Sequence, residues 1–354
     1  MSSEPPVPET RVLAVASHVV SGNVGNKIAV FAMQSLGCDV AALNTVQFSN
    51  HTGYKQWTGT RVSAQEITDL WTGLKQSYLD DFDMMLTGYI PGAEAVKAVG
   101  QIAEELKAKM QSKPGSFFWV LDPVMGDNGN LYVAKDVVPE YKKLMGSADL
   151  ILPNQFEAEL LSDVKIVDMK SLEEAIETIH QRYGIPHIII TSVTLTHPDH
   201  PITSLSVVGS TMTSDRRARP FKIVFPAIDA YFSGTGDMFS ALALVRMREA
   251  IMAAPGLSQT PSWVSSDDVA PTDLPLAKAA EKVLASMNEV LHKTSRQMEQ
   301  EMVRVKAEIE GLDIGQEEKA KRLHLLQSRA NELRLVRNVE SLRNPNVEFR
   351  AKKV

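Results

Sequence analysis

Short apolar runs alternate with longer amphipathic runs from Val12 to Ile190 of this chain. The apolar runs are continuous rather than alternating in polarity, which is typical of strands that helices cover on both faces. Strands alternating with helices predict βαβ units and a mostly parallel sheet. After His200 the pattern changes, and two runs at 205–208 and 221–225 predict a small antiparallel edge. We therefore expect a three-layer α/β fold with the central sheet between two layers of helices.

Capping signals mark where some of the predicted helices begin and end. Ser63 stands three residues before Glu66, and Ser171 stands three residues before Glu174, so each serine is predicted to cap a helix. Gly184 follows the second of these helices and predicts its end, because glycine enters the left-handed conformation of a helix C-terminus without strain.

The composition is that of an ordinary soluble globular protein. Hydrophobic residues make up 44% of the 354 residues, and the net charge of −6 argues against a partner nucleic acid. The lone cysteine, Cys38, excludes an intrachain disulfide and fits a reducing compartment such as the cytoplasm. No run reaches membrane-spanning length, and residues 1–10 resemble a disordered tail rather than a signal peptide.

Residues 11–354 are predicted to form a single domain with two atypical regions. Residues 254–275 are rich in Pro, Ser and Asp, which indicates a surface insertion. Residues from about 277 to 337 are charged and helical in pattern, with a break near Gly311–Gly315. The leucines do not hold a heptad for long enough to predict a coiled coil, so a solvated helical face is expected.

Polar side chains follow the predicted strands at their carboxyl ends. In an open α/β sheet the ligand crevice lies beyond this edge. Any one of these residues is explained by turn chemistry, but five at the same edge favour a shared site. The five are Ser17, Asp122, Asn154, Thr191 and Ser192.

The segment Gly234-Thr-Gly-Asp237 precedes an apolar helical run. Free amides at a helix N-terminus attract anions, because the unpaired N–H groups and the helix dipole both favour negative charge. A carboxylate in the same place is explained if Asp237 removes a proton from an attacking hydroxyl while the amides stabilise a phosphoryl group. This pairing predicts a small-molecule kinase.

Phosphate must be held without a P-loop, since the sequence contains no G-x-x-x-x-G-K-[ST] motif. Asp122 and Asp127 share one loop after a strand, and residues 154–157 follow the next strand. Acidic groups near phosphate suit Mg²⁺, which takes few carboxylates and keeps several waters. His197 and His200 flank Pro198 and are expected to form a surface turn rather than a metal site.

A second polar loop, Asn50-His-Thr-Gly-Tyr54, comes after a strand and is preceded by Val46-Gln-Phe48, and Thr87-Gly-Tyr89 ends another strand. Histidine, threonine and tyrosine around apolar side chains suit a flat, polar aromatic ligand. An ordinary satisfied core explains the same residues equally well, so composition leaves both readings open.

The motifs taken together resemble those of the pyridoxal kinase family in the ribokinase-like superfamily. The resemblance runs from about Arg11 to Met252 and resumes weakly at the C-terminus. The string from Gln47 to Tyr54 is specific to the family, whereas Gly234-Thr-Gly-Asp237 alone indicates the superfamily. The matching strings are Ser17–Val20, Gly22–Asn26, Asn44–Tyr54, Leu86–Tyr89, Asp122–Asp127, Pro153–Leu161, Thr191-Ser192 and Gly234–Asp237.

This resemblance implies ATP-dependent phosphorylation of the 5′-hydroxyl of pyridoxal, and of pyridoxine and pyridoxamine, with Asp237 as the general base. The implied substrate positions are Ser17, Val24, Val46, Phe48, His51, Thr52, Tyr89 and Gly234. The implied ATP positions are Asp122, Asn154, Gln155, Phe156, Glu157, Thr191, Ser192, Ile228, Asp229, Ala230, Thr235 and Gly236. The implied metal positions are Asp122, Asp127, Glu157 and Thr191.

The family resemblance also implies Mg²⁺, a monovalent cation (K⁺ or Na⁺), a homodimer and a cytoplasmic location, with the nucleus as a second one. Leu152 departs from the pattern, because relatives can carry a threonine there that helps to hold the monovalent cation. The loop after Asp127 is short, and residues 254–275 and the C-terminal helices are expected to have no clear family counterpart. A kinase for hydroxymethylpyrimidine and a catalytically silent binding protein for vitamin B6 are the alternatives.

Overall fold

The structure, a computed structural model, describes residues 4–195 and 203–354, so the predicted turn at His197 and His200 lies outside the described residues. Twelve strands lie within this part of the chain: β1 Arg11–Val19, β2 Asp39–Phe48, β3 Gly59–Arg61, β4 Met84–Thr87, β5 Phe118–Leu121, β6 Gly126–Asp127, β7 Asn130–Leu131, β8 Leu150–Ile151, β9 His187–Val193, β10 Ser204–Thr211, β11 Pro220–Pro226 and β12 Lys352–Lys353.

Ten of these strands form one sheet, in the order β12-β11-β10-β9-β8-β5-β4-β1-β2-β3, and β6 and β7 pair separately as a small hairpin. The six central strands from β9 to β2 are parallel. Antiparallel strands complete both edges, because β3 pairs with β2 and the run β10-β11-β12 extends from β9. The predicted parallel sheet with an antiparallel edge is confirmed.

Ten α-helices cover the sheet in the described residues: α1 Asn26–Ser35, α2 Ala64–Gln76, α3 Ala93–Lys109, α4 Val137–Leu144, α5 Gln155–Ser162, α6 Met169–Tyr183, α7 Thr235–Met252, α8 Pro275–Glu310, α9 Gln316–Ala330 and α10 Val339–Arg343. No helix among residues 4–195 and 203–354 is long and apolar enough to span a membrane.

Two buried clusters on opposite faces of the sheet give the fold its three layers. Val12 and Ala14 of β1 pack with α1, α7 and α8, whereas Leu13 and Val15 face the cluster that contains α2, α3, α4 and α6. Successive side chains of a strand point to opposite faces, so a continuous apolar run supplies both layers. Burial is thus the reason that the strands are apolar along their whole length.

The helix caps in the structure agree with those predicted from the sequence, with one correction. Ser63 caps α2 and Glu66 completes the capping box. For α6, however, Asp168 is the N-cap. Ser171 occupies the third helical position, where its hydroxyl accepts a hydrogen bond from the backbone amide of Asp168. The prediction that Ser171 caps this helix is therefore wrong by three residues. Gly184 ends α6 in the left-handed conformation, as predicted.

Two segments expected at the surface contribute to the core instead. Within residues 1–10, Val7 is buried in the cluster on the α7 face and Thr10 is fully buried, so a disordered tail is not the right description of this end of the segment. Residues 254–275 form short 3₁₀ turns, but Trp263 is fully buried, stacks on Phe118 with ring centroids 4.1 Å apart and donates to the carbonyl of Gly115.

The charged C-terminal region is also less solvated than its composition predicts. Its break at residues 311–315 separates α8 from α9, as expected. The first half of α8 packs against α7, however, and residues such as Ala280, Val283 and Leu284 are buried. The amphipathic repeat of this helix was masked by its many charged residues.

Candidate active site

The carboxyl ends of the parallel strands bring the polar residues of the sequence motifs to one edge of the sheet. Ser17 lies near the end of β1, and Asp122 follows β5 directly. Asn154 follows β8 and caps α5, and Thr191 and Ser192 lie within the longer strand β9. This is the edge at which open α/β sheets bind ligands, so the predicted crevice has the expected location.

Gly234 turns the chain into α7 at this edge. Its φ of +81° is left-handed, and a side chain there would collide with the carbonyl oxygen of Asn23, so the turn requires glycine. The backbone bonds of α7 begin with the amide of Met238 donating to the carbonyl of Gly234. The amides of Thr235, Gly236 and Asp237 therefore have no partner within the helix, which makes this terminus an anion site.

Asp237 stands in the first turn of α7. Burial raises the pKa of its carboxyl to about 6, although the backbone amide of Gly25 opposes this shift. Within the described residues no lysine, arginine or histidine forms an ion pair with it. A side chain at Gly88 would lie 3.8 Å from its Oδ1 atom, so the end of β4 also borders this carboxyl. Asp237 is therefore a proton acceptor near neutral pH that no cation neutralises.

Asp122 is a second unpaired carboxyl, and only 7% of it is exposed. Burial raises its pKa well above the usual value, and the negative charges of Glu157 and Asp237 raise it further. No donor among the described residues is found hydrogen-bonded to its carboxylate oxygens. A buried carboxyl without a donor suits a site whose missing partner is a cation.

Glu157 is held in a different way from Asp122. Its Oε1 accepts from the amides of Met125 and Gly126 at 2.8 and 3.3 Å, and its Oε2 accepts from the amide of Asn154 at 2.9 Å. Burial raises the pKa of Glu157 to about 7 despite these three bonds. The two oxygens thus connect the loop between β5 and β6 to the start of α5, and both are hydrogen-bonded within the protein.

Two adjoining cavities lie along this edge. The first, which we call the carboxylate cavity, has a volume of about 280 Å³ and contains Asp122, Asp127, Asn154, Glu157 and Gly236. The second, the apolar cavity, has a volume of about 300 Å³. Thr191, Ser192, Thr235, Phe239 and Met287 line both, so the two cavities form one continuous groove.

The walls of the apolar cavity come largely from two segments. The segment after β11 contributes Ile228, Ala230, Tyr231 and Phe232, and α8 contributes Leu284, Met287, Asn288 and Leu291. A mostly apolar slot beside a helix N-terminus and a set of carboxylates suits a ligand with a flat ring at one end and phosphates at the other.

Three of the residues implied for ATP binding do not line either cavity. The amide group of Gln155 donates to the carbonyl of Ile166, and the ring of Phe156 packs at Gly126. Asp229 is exposed, although its neighbours Ile228 and Ala230 line the apolar cavity. The other residues implied for ATP binding or for metal gather along the groove.

A second group of predicted residues lies on or just after β1, β2 and β4. The hydroxyls of Ser17 and Thr52 are found in no hydrogen bond within residues 4–195 and 203–354 and are available to a ligand. Val24 and Tyr89 are partly exposed, Phe48 packs on Trp57, and Val46 is buried beneath the loop. A side chain at Gly53 would lie 3.7 Å from the hydroxyl of Ser233, so this loop borders the turn that precedes α7.

His51 is in this second group, but its ring nitrogens are engaged within the protein. Its Nδ1 accepts from the amide of Gly53 at 3.2 Å, and its Nε2 lies 3.1 Å from Oε1 of Glu332. The ring therefore offers no free nitrogen to a ligand in this conformation. Glu332 itself was not predicted, because a glutamate in a charged helical segment carries no signal that it reaches a loop 281 residues away.

The α8 wall of the apolar cavity was missed as well. The spacing of Leu284, Met287, Asn288 and Leu291 places them on one face of a helix, which is a signal that the sequence does contain. The sequence does not indicate which cavity that face of the helix lines.

Within the described residues, no three His, Cys, Asp or Glu side chains lie close enough together to hold a metal ion by themselves. This arrangement is compatible with a metal that takes few protein ligands and completes its shell with water and phosphate.

Comparison with known proteins agrees with this geometry. The family model described as phosphomethylpyrimidine kinase matches residues 31–255. Pyridoxal kinase from Homo sapiens is 39% identical over 249 residues, which cover 67% of this chain and 77% of that protein. Pyridoxal kinase from Arabidopsis thaliana is 33% identical over 346 residues, which cover 97% and 94%. The solved pyridoxal kinase from Leishmania donovani, in complex with ADP and pyridoxamine, has a TM-score of 0.76 at 27% identity, with 98% of this chain and 100% of that chain covered.

The fold and the groove define a ribokinase-like kinase of small molecules, and the chain belongs to the phosphomethylpyrimidine kinase family. Its relatives place it in the pyridoxal kinase branch, so it is an ATP-dependent kinase. The alignments with the Arabidopsis and Leishmania proteins span 97% and 98% of the chain. The expectation that residues 254–275 and the C-terminal helices have no clear family counterpart stays a prediction.

Proposed function

We propose that this protein transfers the terminal phosphoryl group of ATP to the 5′-hydroxyl of pyridoxal, and also of pyridoxine and pyridoxamine. The observation that carries the proposal is the position of Asp237, an unpaired carboxyl with a pKa of about 6 beside three free amides of α7. Solved relatives bound to ADP with pyridoxamine or with pyridoxine support the choice of substrates.

In this proposal Asp237 accepts the proton of the 5′-hydroxyl as that oxygen attacks the terminal phosphorus. The N-terminus of α7 offers its amides to the phosphoryl oxygens, where negative charge accumulates in the transition state. The apolar cavity receives the adenine ring of ATP, and the carboxylate cavity receives the phosphates. Ser17, Thr52 and the faces of His51 and Tyr89 surround the vitamer on the other side of Asp237.

We further propose that Mg²⁺ accompanies ATP, with Asp122 and Asp127 nearest to it and Glu157 acting through water. Bound Mg²⁺ supplies charge neutralisation of the phosphates. The unpaired, buried Asp122 supports this assignment. Thr191 offers an oxygen for K⁺ or Na⁺, whereas Leu152 offers none from its side chain. A homodimer and a cytoplasmic location complete the proposal, and both rest on the family resemblance.

The test is a coupled assay of vitamer-dependent ADP release, run with pyridoxal, pyridoxine and pyridoxamine in K⁺ and in Na⁺. Hydroxymethylpyrimidine belongs in the panel because the matching family model is described as a phosphomethylpyrimidine kinase. We expect pyridoxal to support turnover and hydroxymethylpyrimidine to support less. The absence of vitamer-dependent ADP release would favour the silent binding protein instead.

Asp237→Asn tests the base directly. We expect kcat to fall by about 10²–10⁴-fold while the binding of ATP is retained, because the amide cannot accept the proton. Asp313→Asn is the matched control, since Asp313 is exposed in the turn between α8 and α9. Near-normal turnover of Asp237→Asn would remove Asp237 from the role of base.

A further inference from the structure

Glu332 lies just after α9 and reaches two loops that are distant in sequence. Its Oε1 accepts from the hydroxyl of Tyr54 at 3.2 Å and lies 3.1 Å from Nε2 of His51. Its Oε2 accepts from the backbone amide of Asn23 at 2.6 Å. One carboxylate therefore joins the turn at residues 22–25 to the loop at residues 49–54, and we call these two segments the substrate loops.

The carboxylate is shielded and built into the structure. The side chains of Glu332 and His51 are 13% and 10% exposed. Burial alone would raise the pKa of Glu332, but the hydrogen bonds from His51 and Asn23 outweigh it and lower the pKa. The carboxylate is thus ionised and fully engaged at neutral pH, unlike an exposed surface ion pair.

Its neighbours support the same connection. The side-chain amide of Asn23 donates to the carbonyl of Leu333 at 2.8 Å, and Nε2 of His324 lies 3.1 Å from the carbonyl of Gly53. Gly22 has a φ of +108°, and a side chain there would stand 2.6 Å from Oε1 of Glu332. The segment that contains α9 is therefore fitted to both substrate loops.

Glu332 and the amide of Gly53 together fix the tautomer of His51. Because Nδ1 of His51 accepts from the amide of Gly53, Nε2 carries the proton that is donated to Glu332. The ring of His51 lies 4.7 Å from that of Tyr54, with the two planes tilted by 57°. The carboxylate thus sets the orientation of two aromatic rings in the loop that carries Thr52.

The turn at residues 22–25 leads from Glu332 to the proposed base. The amide of Asn23 is held by Glu332, while the carbonyl of Asn23 packs against Gly234 and the amide of Gly25 faces Asp237. The same short turn therefore contacts Glu332 at one end and the Gly234–Asp237 segment at the other.

We propose that Glu332 is a positioning residue that ties the two substrate loops together and so sets the affinity for the vitamer. The inference rests on the proposed function, because it assigns the substrate loops to the vitamer. It goes beyond that function by making the C-terminal segment part of the vitamer site, without a contact between Glu332 and the substrate.

The kinetic test separates the two substrates. In Glu332→Ala, we expect KM for pyridoxal to rise by about tenfold and KM for ATP to change by less than about twofold, since the nucleotide groove contains none of the bonds removed. Glu332→Gln keeps one carbonyl acceptor but presents N–H groups to a donor, so its KM for pyridoxal should lie between those of wild type and Glu332→Ala.

Gly22→Ala approaches the carboxylate from the other side and should also raise KM for pyridoxal selectively. Glu317→Gln is the matched control, because Glu317 is an exposed residue of α9 and should leave both KM values unchanged. An unchanged KM for pyridoxal in Glu332→Ala, or an equal rise of both KM values, would overturn the proposal.

A readout that needs no turnover keeps this inference separate from the proposed function. Hydrogen exchange of residues 20–26 and 49–56 should be faster in Glu332→Ala than in wild type, while α3 and α6 are unaffected. Unchanged hydrogen exchange in both substrate loops would contradict the proposal that Glu332 connects them, whichever substrate the protein uses. An inactive wild-type protein whose loops nevertheless loosen in Glu332→Ala contradicts the proposed function alone.

Discussion

The carboxylates on the two sides of the crevice are held in opposite ways. At the N-terminus of α7 and the end of β5, burial raises the pKa values of Asp122 and Asp237, and neither has a cationic partner among the described residues. Beside the substrate loops, burial also favours a higher pKa for Glu332, but three donors surround this carboxylate and its pKa is lowered. The carboxylates of Asp122 and Asp237 are therefore left to interact with bound ligands, whereas the carboxylate of Glu332 connects separate segments of the protein.

This difference predicts opposite effects on stability when the charges are removed. A buried, unpaired carboxylate destabilises the folded state at neutral pH, and a buried carboxylate with hydrogen-bond donors stabilises it. The three predictions below test the contrast, beginning with the largest expected effect.

Asp237→Asn should raise the free energy of unfolding by about 1–3 kcal/mol at pH 7.5, because the folded pKa of Asp237 is raised from 3.8 to about 6. A raised acid pKa means that wild type loses stability as the pH rises through about 6, so the advantage of the variant should vanish near pH 4. Denaturant unfolding at several pH values, with Asp313→Asn as the control, measures this. A variant less stable than wild type at pH 7.5 would contradict the idea that Asp237 is an unpaired charge.

Glu332→Gln should lower the free energy of unfolding at pH 7.5, by about 1–2 kcal/mol, because it breaks hydrogen bonds to a charged acceptor. The folded pKa of Glu332 lies below its ordinary 4.5, so the contribution of the carboxylate is present above that pH and is lost as the pH falls through the folded pKa. The deficit should therefore shrink in acid. Denaturant unfolding at several pH values, with Glu317→Gln as the control, measures this. If the loss of stability in Glu332→Gln grew as the pH fell, the ionised carboxylate of Glu332 would not be the stabilising form.

Leu291→Lys should raise KM for ATP by about tenfold and leave KM for pyridoxal nearly unchanged, because it places a charge in the apolar cavity, away from the carboxylate cavity, and touches no substrate loop. Val303→Lys is the control on the same helix, since Val303 is 73% exposed. If both KM values rise together in Leu291→Lys, the two halves of the site are not separable in the way that the structure indicates.

Much of the site was predictable because its residues lie in local motifs. Gly234 and Asp237 are three residues apart, and glycine at a left-handed turn before an apolar helix is visible in the sequence. The edge formed by Asp122, Asn154 and Thr191 follows from strand order, since the ends of parallel strands meet at one side of a sheet. Such signals need no knowledge of distant contacts.

The misplaced expectations concern residues whose surroundings come from elsewhere in the chain. Trp263 lies in a Pro- and Ser-rich segment with no regular periodicity, and only the stacking on Phe118 makes it part of the core. Gln155 and Phe156 occupy a matching motif, but in the folded chain they point to Ile166 and Gly126.

The sequence by itself determined the parallel α/β sheet, the glycine turn and the presence of a carboxyl at the start of α7, because periodicity and short-range backbone preferences encode them. Tertiary structure alone decided that α8 forms one wall of the apolar cavity and that Glu332 connects Asn23 to His51. A charged residue is equally compatible with solvent and with a buried set of donors. Only the packing of α9 against the substrate loops selects between the two.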